Sequence, residues 1–362
     1  MFYYLLTPLT RYFGALNLFR YITFRAAMAG VVAIVLTLVL GVPLIRLLKR
    51  LQLGQNIREE VPERHRGKAG TPTMGGVLIL VAAIIGTVLF GDLKNQSVLL
   101  GLAVLLSLGA LGFWDDYVKV RGGRARGINK RTKLFFQLLV AAGVGVVLYF
   151  FPADPGIKTK TNFLLFKNIV VDFGIFYIPL IMLVLIGSSN AVNLSDGLDG
   201  LAPGLLTVAL GTYTALCYIS GNFKIAQYLN IQYVPVSGEM TVFCLALTGA
   251  CLGFLWFNSY PAEIFMGDTG SLPLGGALGL AAIVSKHELL LPIVGGVFVI
   301  EAGSVLIQVI YFHSTGGKRI FRMAPLHHHF EFKGWVEPKI VTRFVIVAVL
   351  CGMVALATLK VR

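Results

Sequence analysis

The chain has 362 residues, 56% of them hydrophobic and only 13% charged, with a formal net charge of +14. A soluble domain carries roughly 25% charged residues, so a mean hydropathy of +0.80 argues against an ordinary soluble globule and for a bilayer as solvent. The basic excess does not read as nucleic-acid binding. The lysines and arginines lie in loops between apolar runs, where membrane orientation and phosphate contacts account for them.

Residues 1–21 are aromatic and mildly basic and read as an interfacial anchor. Arg11, Arg20 and Arg25 interrupt the N-terminal apolar stretch, so no cleavable signal peptide is expected. Apolar runs near the ~20 residues that a spanning helix needs then follow at 22–46, 75–92, 97–114, 133–151, 172–189, 200–220, 239–258, 270–285, 288–313 and 339–360. The expected fold is an all-α polytopic membrane protein of about ten transmembrane helices, a single domain over residues 1–362. Within 153–171 the β-like stretches Asn162–Phe166 and Ile169–Val171 suggest a small hairpin. The ninth run holds Gly295, Gly296, Glu301 and Gly303. Glycine weakens a helix interior, so a bend near Glu301–Gly303 is expected, opening an apolar groove for a lipid chain. Cys217, Cys244, Cys251 and Cys351 all sit inside apolar runs without metal-ligand spacing and read as core hydrophobes.

Ten spans place both termini on one side. Loops after odd-numbered spans hold 18 of the 31 lysines and arginines, and the opposite side with both tails holds 11. The positive-inside rule makes the odd loops cytoplasmic and both termini, with the hairpin, periplasmic. Eleven of the 17 carboxylates also fall in odd loops, and only Glu301 sits clearly mid-span. A transporter would place its key charges near the midplane. This distribution instead favours chemistry at the cytoplasmic surface.

Five polar clusters converge on that face. Asp115-Asp116 closes the third span, followed by Lys119 and Arg121. Paired carboxylates hold Mg²⁺ or deprotonate a nucleophile, and the cations neutralise phosphate, although such a pair also occurs as solvated helix-terminal acids. Asn190–Gly200 joins the fifth and sixth spans, with Asn190/Asn193 and Asp196/Asp199 at one-turn spacing and Gly197 beside Leu198. Asp199 alone also fits a helix cap. Asn258–Ser271 carries Asp268 framed by glycines just before a helix, with Phe265 placed to stack on a base. A capped tight turn is the competing reading. Pro325–Glu331 holds three consecutive histidines, His327, His328 and His329. Consecutive residues rarely point one way, so phosphate contact or loop structure is favoured over a zinc site. His65–Gly76 carries Lys68 among Gly and Thr residues, without the P-loop pattern.

Together Asp115-Asp116, Asn190–Gly200, Asn258–Ser271 and Pro325–Glu331 resemble the polyprenyl-phosphate hexose-1-phosphate transferases over essentially the whole chain. The Lys68–Gly76 and histidine segments are closest to the branch acting on N-acetylmuramoyl-pentapeptide donors. Val61 and Arg64 depart from it, being larger than the residues expected there. The resemblance implies transfer of phospho-N-acetylmuramoyl-pentapeptide from UDP to undecaprenyl phosphate at the bacterial inner membrane. Lipid I and UMP are the products, with Mg²⁺ required and a homodimer as the assembly. It implies metal contacts at Asp268, Asp115 and Asp116, and catalytic roles for these with Lys119 and His327. It implies substrate contacts at Lys68, Asn190, Asn193, Asp196, Gly197, Leu198, Asp199, Asn258, Phe265, His328 and His329. The competing readings are the sister transferase that uses UDP-N-acetylglucosamine, opposed by the histidine loop, and an ion-coupled carrier, opposed by the sparse midplane charge.

Overall fold

The computed structural model describes residues 1–51, 70–122, 127–162 and 170–361. Ten main helices follow one another: α1 Ile22–Arg50, α2 Gly76–Phe90, α3 Gln96–Arg121, α4 Lys130–Phe150, α5 Tyr177–Ser195, α6 Leu201–Gly221, α7 Ser237–Asn258, α8 Asp268–Val284, α9 Gly296–Ser314 and α10 Glu337–Val361. Among the described residues, eight helices are long and apolar enough to cross a membrane. The exceptions are α2 and α8, of 15 and 17 residues. At 1.5 Å per residue they reach roughly 22–26 Å, short of a ~30 Å hydrocarbon core. Residues 1–21 form the short helix Phe2–Leu6 and two 3₁₀ turns.

The bundle is ordered around α8, in which every residue after Asp268 is buried. Its Gly-, Ala- and Leu-rich sequence lets α3 and α5 close onto it. A second layer pairs α7 with α1 and α6. Large apolar side chains exposed on the periphery, such as Val31, Val35 and Val39 on α1 and Leu350, Met353 and Val354 on α10, form the lipid-facing surface of a multi-pass protein. Polar caps start the helices where the apolar runs begin. Asn95 accepts from Ser97 N (2.9 Å) ahead of α3, and Asn129 from Arg131 N (3.2 Å) ahead of α4. Cys217, Cys244 and Cys251 are buried free thiols, as their apolar settings suggest.

The end of the bundle carrying the N-terminal segment is tied by buried Arg25, paired at 2.5 Å with the partly buried Glu239. Arg25 also donates to Phe90 O (3.0 Å), and Glu239 accepts from Asp92 N (3.0 Å). The hairpin forms between β1 Lys160–Asn162 and β2 Val170–Asp172, antiparallel with Thr161 opposite Val171. It is anchored by Thr161 donating to the buried Glu288 carboxylate at 2.7 Å.

Two expectations about boundaries need correction. The third helix does not stop where its apolar run stops but continues to Arg121, because Asp115 and Asp116 find partners inside the bundle. The ninth run is interrupted at Gly295, between the short helix Leu291–Val294 and α9. Glu301–Gly303 lie within continuous helix, where buried Glu301 is held by a partner described below.

Candidate active site

The extension of α3 puts Asp115, Asp116 and Lys119 on one helical face, at i,i+3 and i,i+4 spacing. Lys119 Nζ lies 2.6 Å from Asp115 Oδ2, 3.4 Å from Asp116 Oδ1 and 3.0 Å from Asp268 Oδ2. Lys133, from the first turn of α4, approaches the same Asp268 oxygen at 2.6 Å. Two ammonium groups therefore offset most of the charge of three clustered carboxylates.

The three aspartates are held differently. Asp116 accepts from Asp268 N (3.2 Å), Thr269 N (2.9 Å) and Thr269 Oγ1 (2.7 Å). It satisfies amides at the start of α8 that no helical carbonyl can reach, so it acts as an N-cap delivered from another helix. The turn before it needs Gly267, at φ 71°, where a Cβ would sit 2.5 Å from Asp116 Oδ2. Asp115 Oδ1 accepts from Ile128 N at 2.8 Å. Asp268 is oriented by side chains, with Asn193 Nδ2 donating to its Oδ1 at 2.7 Å and to Ser271 Oγ at 2.8 Å.

Carboxylate oxygens of Asp115, Asp116 and Asp268 come within 4.8 Å of one another, a hard-oxygen set that suits a divalent cation such as Mg²⁺. Asp268 is the member best able to turn toward such an ion, because its carboxylate is held by side chains rather than by backbone amides. Asp196, which ends α5, lies close enough to feel the others. Burial first, then the negative charges of Asp268 and Asp116, push its carboxyl up to about 8.

The other expected site residues have partners of their own. Phe265 is partly exposed, and its backbone joins the third and fifth motifs. Phe265 N donates to Pro72 O (2.9 Å), Gly75 N to Phe265 O (2.8 Å) and Gly76 N to Met266 O (2.9 Å). Buried Asn258 braces two turns, accepting from Gly200 N (3.0 Å) and donating to Ile264 O (2.7 Å). Asp199 accepts from Ala262 N (3.1 Å), and its own amide donates to Glu337 (2.6 Å). Asn190 lies one turn below Asn193 and donates to Gln137 Oε1 (3.0 Å) and Ile186 O (2.9 Å), a bracing role inside the bundle. Leu198 is buried. The histidines diverge along the short helix Leu326–Phe332. His327 turns inward to Glu301, His328 pairs with Glu331, and His329 accepts from Arg322 N. Burial, then Lys333 and Arg322, lower the His329 pKa. Lys68, Val61 and Arg64 lie outside the described residues.

A carboxylate–lysine centre at one end of a helical bundle is the arrangement that the polyprenyl-phosphate transferase motifs imply, and comparison with known proteins decides the branch. The profile of the Glycosyl transferase family 4 matches residues 96–286, and a phospho-N-acetylmuramoyl-pentapeptide-transferase signature matches residues 68–80. The chain is 50% identical over 362 residues to the phospho-N-acetylmuramoyl-pentapeptide-transferase of Thermodesulfovibrio yellowstonii, and 52% identical to that of Citrifermentans bemidjiense. Another from Desulfatibacillum aliphaticivorans is 52% identical over 366 residues, and all three alignments cover the whole of both chains. The chain belongs to the phospho-N-acetylmuramoyl-pentapeptide-transferase family.

Within this transferase framework, the structure adds residues that the motifs alone do not single out. Lys133 stands with Lys130 and Arg131 in the first turn of a helix, where the dipole disfavours cations, a sequence signal for the turn rather than for one residue. Thr269, Ser271 and Gln137 carry no such signal. Each gains a role only from a partner more than fifty residues away in sequence.

Proposed function

We propose that the chain transfers phospho-N-acetylmuramoyl-pentapeptide from UDP to undecaprenyl phosphate, giving lipid I and UMP, in the bacterial inner membrane. The observation that carries this reading is the Asp115–Asp116–Asp268 cluster with Lys119 and Lys133 at the end of an apolar bundle. A water-soluble anionic donor and a lipid-borne anionic acceptor can both reach such a centre. Its whole-length likeness to the named transferases supports the same choice. The basic bias of the odd loops puts the site on the cytoplasmic face and the termini in the periplasm. Cysteines introduced at Gly122 and Lys224 test this, since only Lys224→Cys should label from outside intact cells.

In the reaction, an oxygen of the lipid phosphate attacks the sugar-bearing phosphorus of the donor. The new P–O bond makes the lipid-linked diphosphate, and the bond to UMP breaks with its electron pair on the UMP oxygen. Such transfer depends on positioning and charge neutralisation more than on covalent protein chemistry. Asp268, with Asp115 and Asp116 beside it, would hold Mg²⁺, which would supply charge neutralisation for the diphosphate. Lys119 and Lys133 take up negative charge as the leaving phosphate develops it. Asp115 accepts the acceptor's proton when that phosphate arrives protonated, and Asp116 holds α8 and Asp268 in place. Phe265 stacks on the uracil, with Asn258 and the Gly197–Leu198 backbone shaping its pocket.

The decisive experiment gives the purified protein undecaprenyl phosphate with labelled UDP-N-acetylmuramoyl-pentapeptide or labelled UDP-N-acetylglucosamine. Mg²⁺-dependent labelling of lipid from the first donor alone is expected. Transfer from the second donor would point to the sister transferase, and transfer from neither would refute the proposal.

A further inference from the structure

Glu301 lies in the second turn of α9 and is fully buried. A carboxylate at that depth is unfavourable unless it is paired. Both of its oxygens face His327: Oε1 accepts the His327 backbone N–H at 3.1 Å, and Oε2 lies 3.0 Å from His327 Nδ1. His327 is itself fully buried. With Nδ1 turned to Glu301, the other ring nitrogen points at the turn after α5. A Cβ built on Gly197 would lie 2.2 Å from His327 Nε2 and 2.8 Å from Cε1, so only glycine admits the ring there. Among the described residues Nε2 has no hydrogen-bond partner. A buried ring nitrogen so placed is unfavourable unless a ligand atom completes it. The neighbouring imidazole of His328, 4.2 Å away between centroids, is turned to its own acid, Glu331.

We infer that Glu301 is a positioning residue that holds the His327 ring so that Nε2 accepts from an N–H or O–H group of the nucleotide donor at the Asp196–Leu198 turn. The inference rests on the transferase reading above. An ionised carboxylate only accepts hydrogen bonds, so the proton shared with His327 resides on Nδ1. With that proton on Nδ1, Nε2 carries the ring's lone pair and accepts a hydrogen bond, so it suits an N–H or O–H group. Glu301 therefore acts on the substrate only through His327, and Gly197 leaves the space in which the ring is aimed.

The test is a set of double-mutant cycles on the full-length protein in nanodiscs, with labelled UDP-N-acetylmuramoyl-pentapeptide and undecaprenyl phosphate. Loss of one hydrogen bond to a charged group corresponds to a fall of about 10- to 100-fold, expected in kcat/KM for Glu301→Gln. In a His327→Gln background the same change should cost no more than about twofold, because its route to the substrate is already gone. Gly197→Ala approaches from the other side, and its loss should largely disappear when His327→Ala vacates the space. Losses that multiply in both cycles would overturn the inference. A readout independent of turnover is ¹⁵N NMR of histidine-labelled protein. The resonances missing in His327→Gln should report a protonated Nδ1 that shifts in Glu301→Gln. An unprotonated Nδ1 overturns the inference even if the wild-type protein proves inactive, whereas inactivity with a protonated Nδ1 refutes only the transferase reading.

Discussion

The proposed division of labour between Asp268 and Asp115 makes an asymmetric prediction about pH. Asparagine at 268 keeps the shape of the side chain and can still accept from Asn193, but it removes the charge that faces Lys119 at 3.0 Å and Lys133 at 2.6 Å. Two charge-assisted contacts of about 1.5–3 kcal/mol each bound the effect at about 3–6 kcal/mol. At 1.36 kcal/mol per tenfold, that is a loss of about 10²- to 10⁴-fold in kcat/KM. The loss should be flat with pH and accompanied by a weaker dependence on Mg²⁺. Asp115→Asn removes the proposed base but leaves α8 capped by Asp116. A phosphomonoester loses its second proton near pH 6. An acceptor that must ionise unaided is then about one-tenth ionised at pH 5 and almost fully ionised at pH 8. The Asp115→Asn deficit should therefore shrink by about tenfold over that interval. The assay is initial-rate UMP release from pH 5 to 8.5 at several Mg²⁺ concentrations, with each variant divided by wild type. A flat Asp115→Asn profile parallel to that of Asp268→Asn would remove the general-base assignment, and a trapped aspartyl phosphate would replace direct transfer with a two-step route.

Lys133→Met should lower kcat/KM by about 10- to 100-fold, the scale of one lost charged hydrogen bond; wild-type rates would leave Lys133 outside the site. Phe265→Ala should raise the donor KM more than it lowers kcat, since stacking binds ground and transition states alike, and steady-state kinetics with varied donor would show the reverse if the ring acts in chemistry. Arg25→Met leaves the partly buried Glu239 carboxylate without its cation and should destabilise the protein by about 1–3 kcal/mol, read by denaturant unfolding in detergent. Adding Glu239→Leu should recover much of that, and equal stability of the three proteins would show that the pair contributes little. Burial, then the charges of Asp268 and Asp116, push the Asp196 carboxyl in the folded protein up to about 8 from its ordinary 3.8. The folded state therefore keeps a proton that the unfolded chain releases, and stability should fall as pH rises from about 4 to about 8. Asp196→Asn should flatten that slope in metal-free buffer, and an unchanged slope would show that another group sets it.

Much of this arrangement is legible from one chain. A bilayer imposes long apolar runs on any spanning helix, so the runs at 22–46 through 339–360 reappear as α1 to α10. Charged residues are too costly to scatter through such runs, so clusters like Asp115-Asp116 and Asp268 stand out as sites. The histidine run is visible for the same reason, and the divergence of His327, His328 and His329 follows from their being consecutive. Hydropathy does not distinguish an apolar residue facing lipid from one facing another helix. The two short helices α2 and α8 therefore read as ordinary spans, although α8 is the buried centre of the bundle. Nor does a linear pattern say which helices meet. Asp116 caps a helix that begins 152 residues later, Lys133 reaches Asp268 across 135 residues, and Glu301 turns toward His327 from 26 residues away. Such contacts depend on the register between packed helices, and only the tertiary structure sets that register. It is there that Glu301 changes from an isolated charge in an apolar run into the partner of a histidine that faces Gly197.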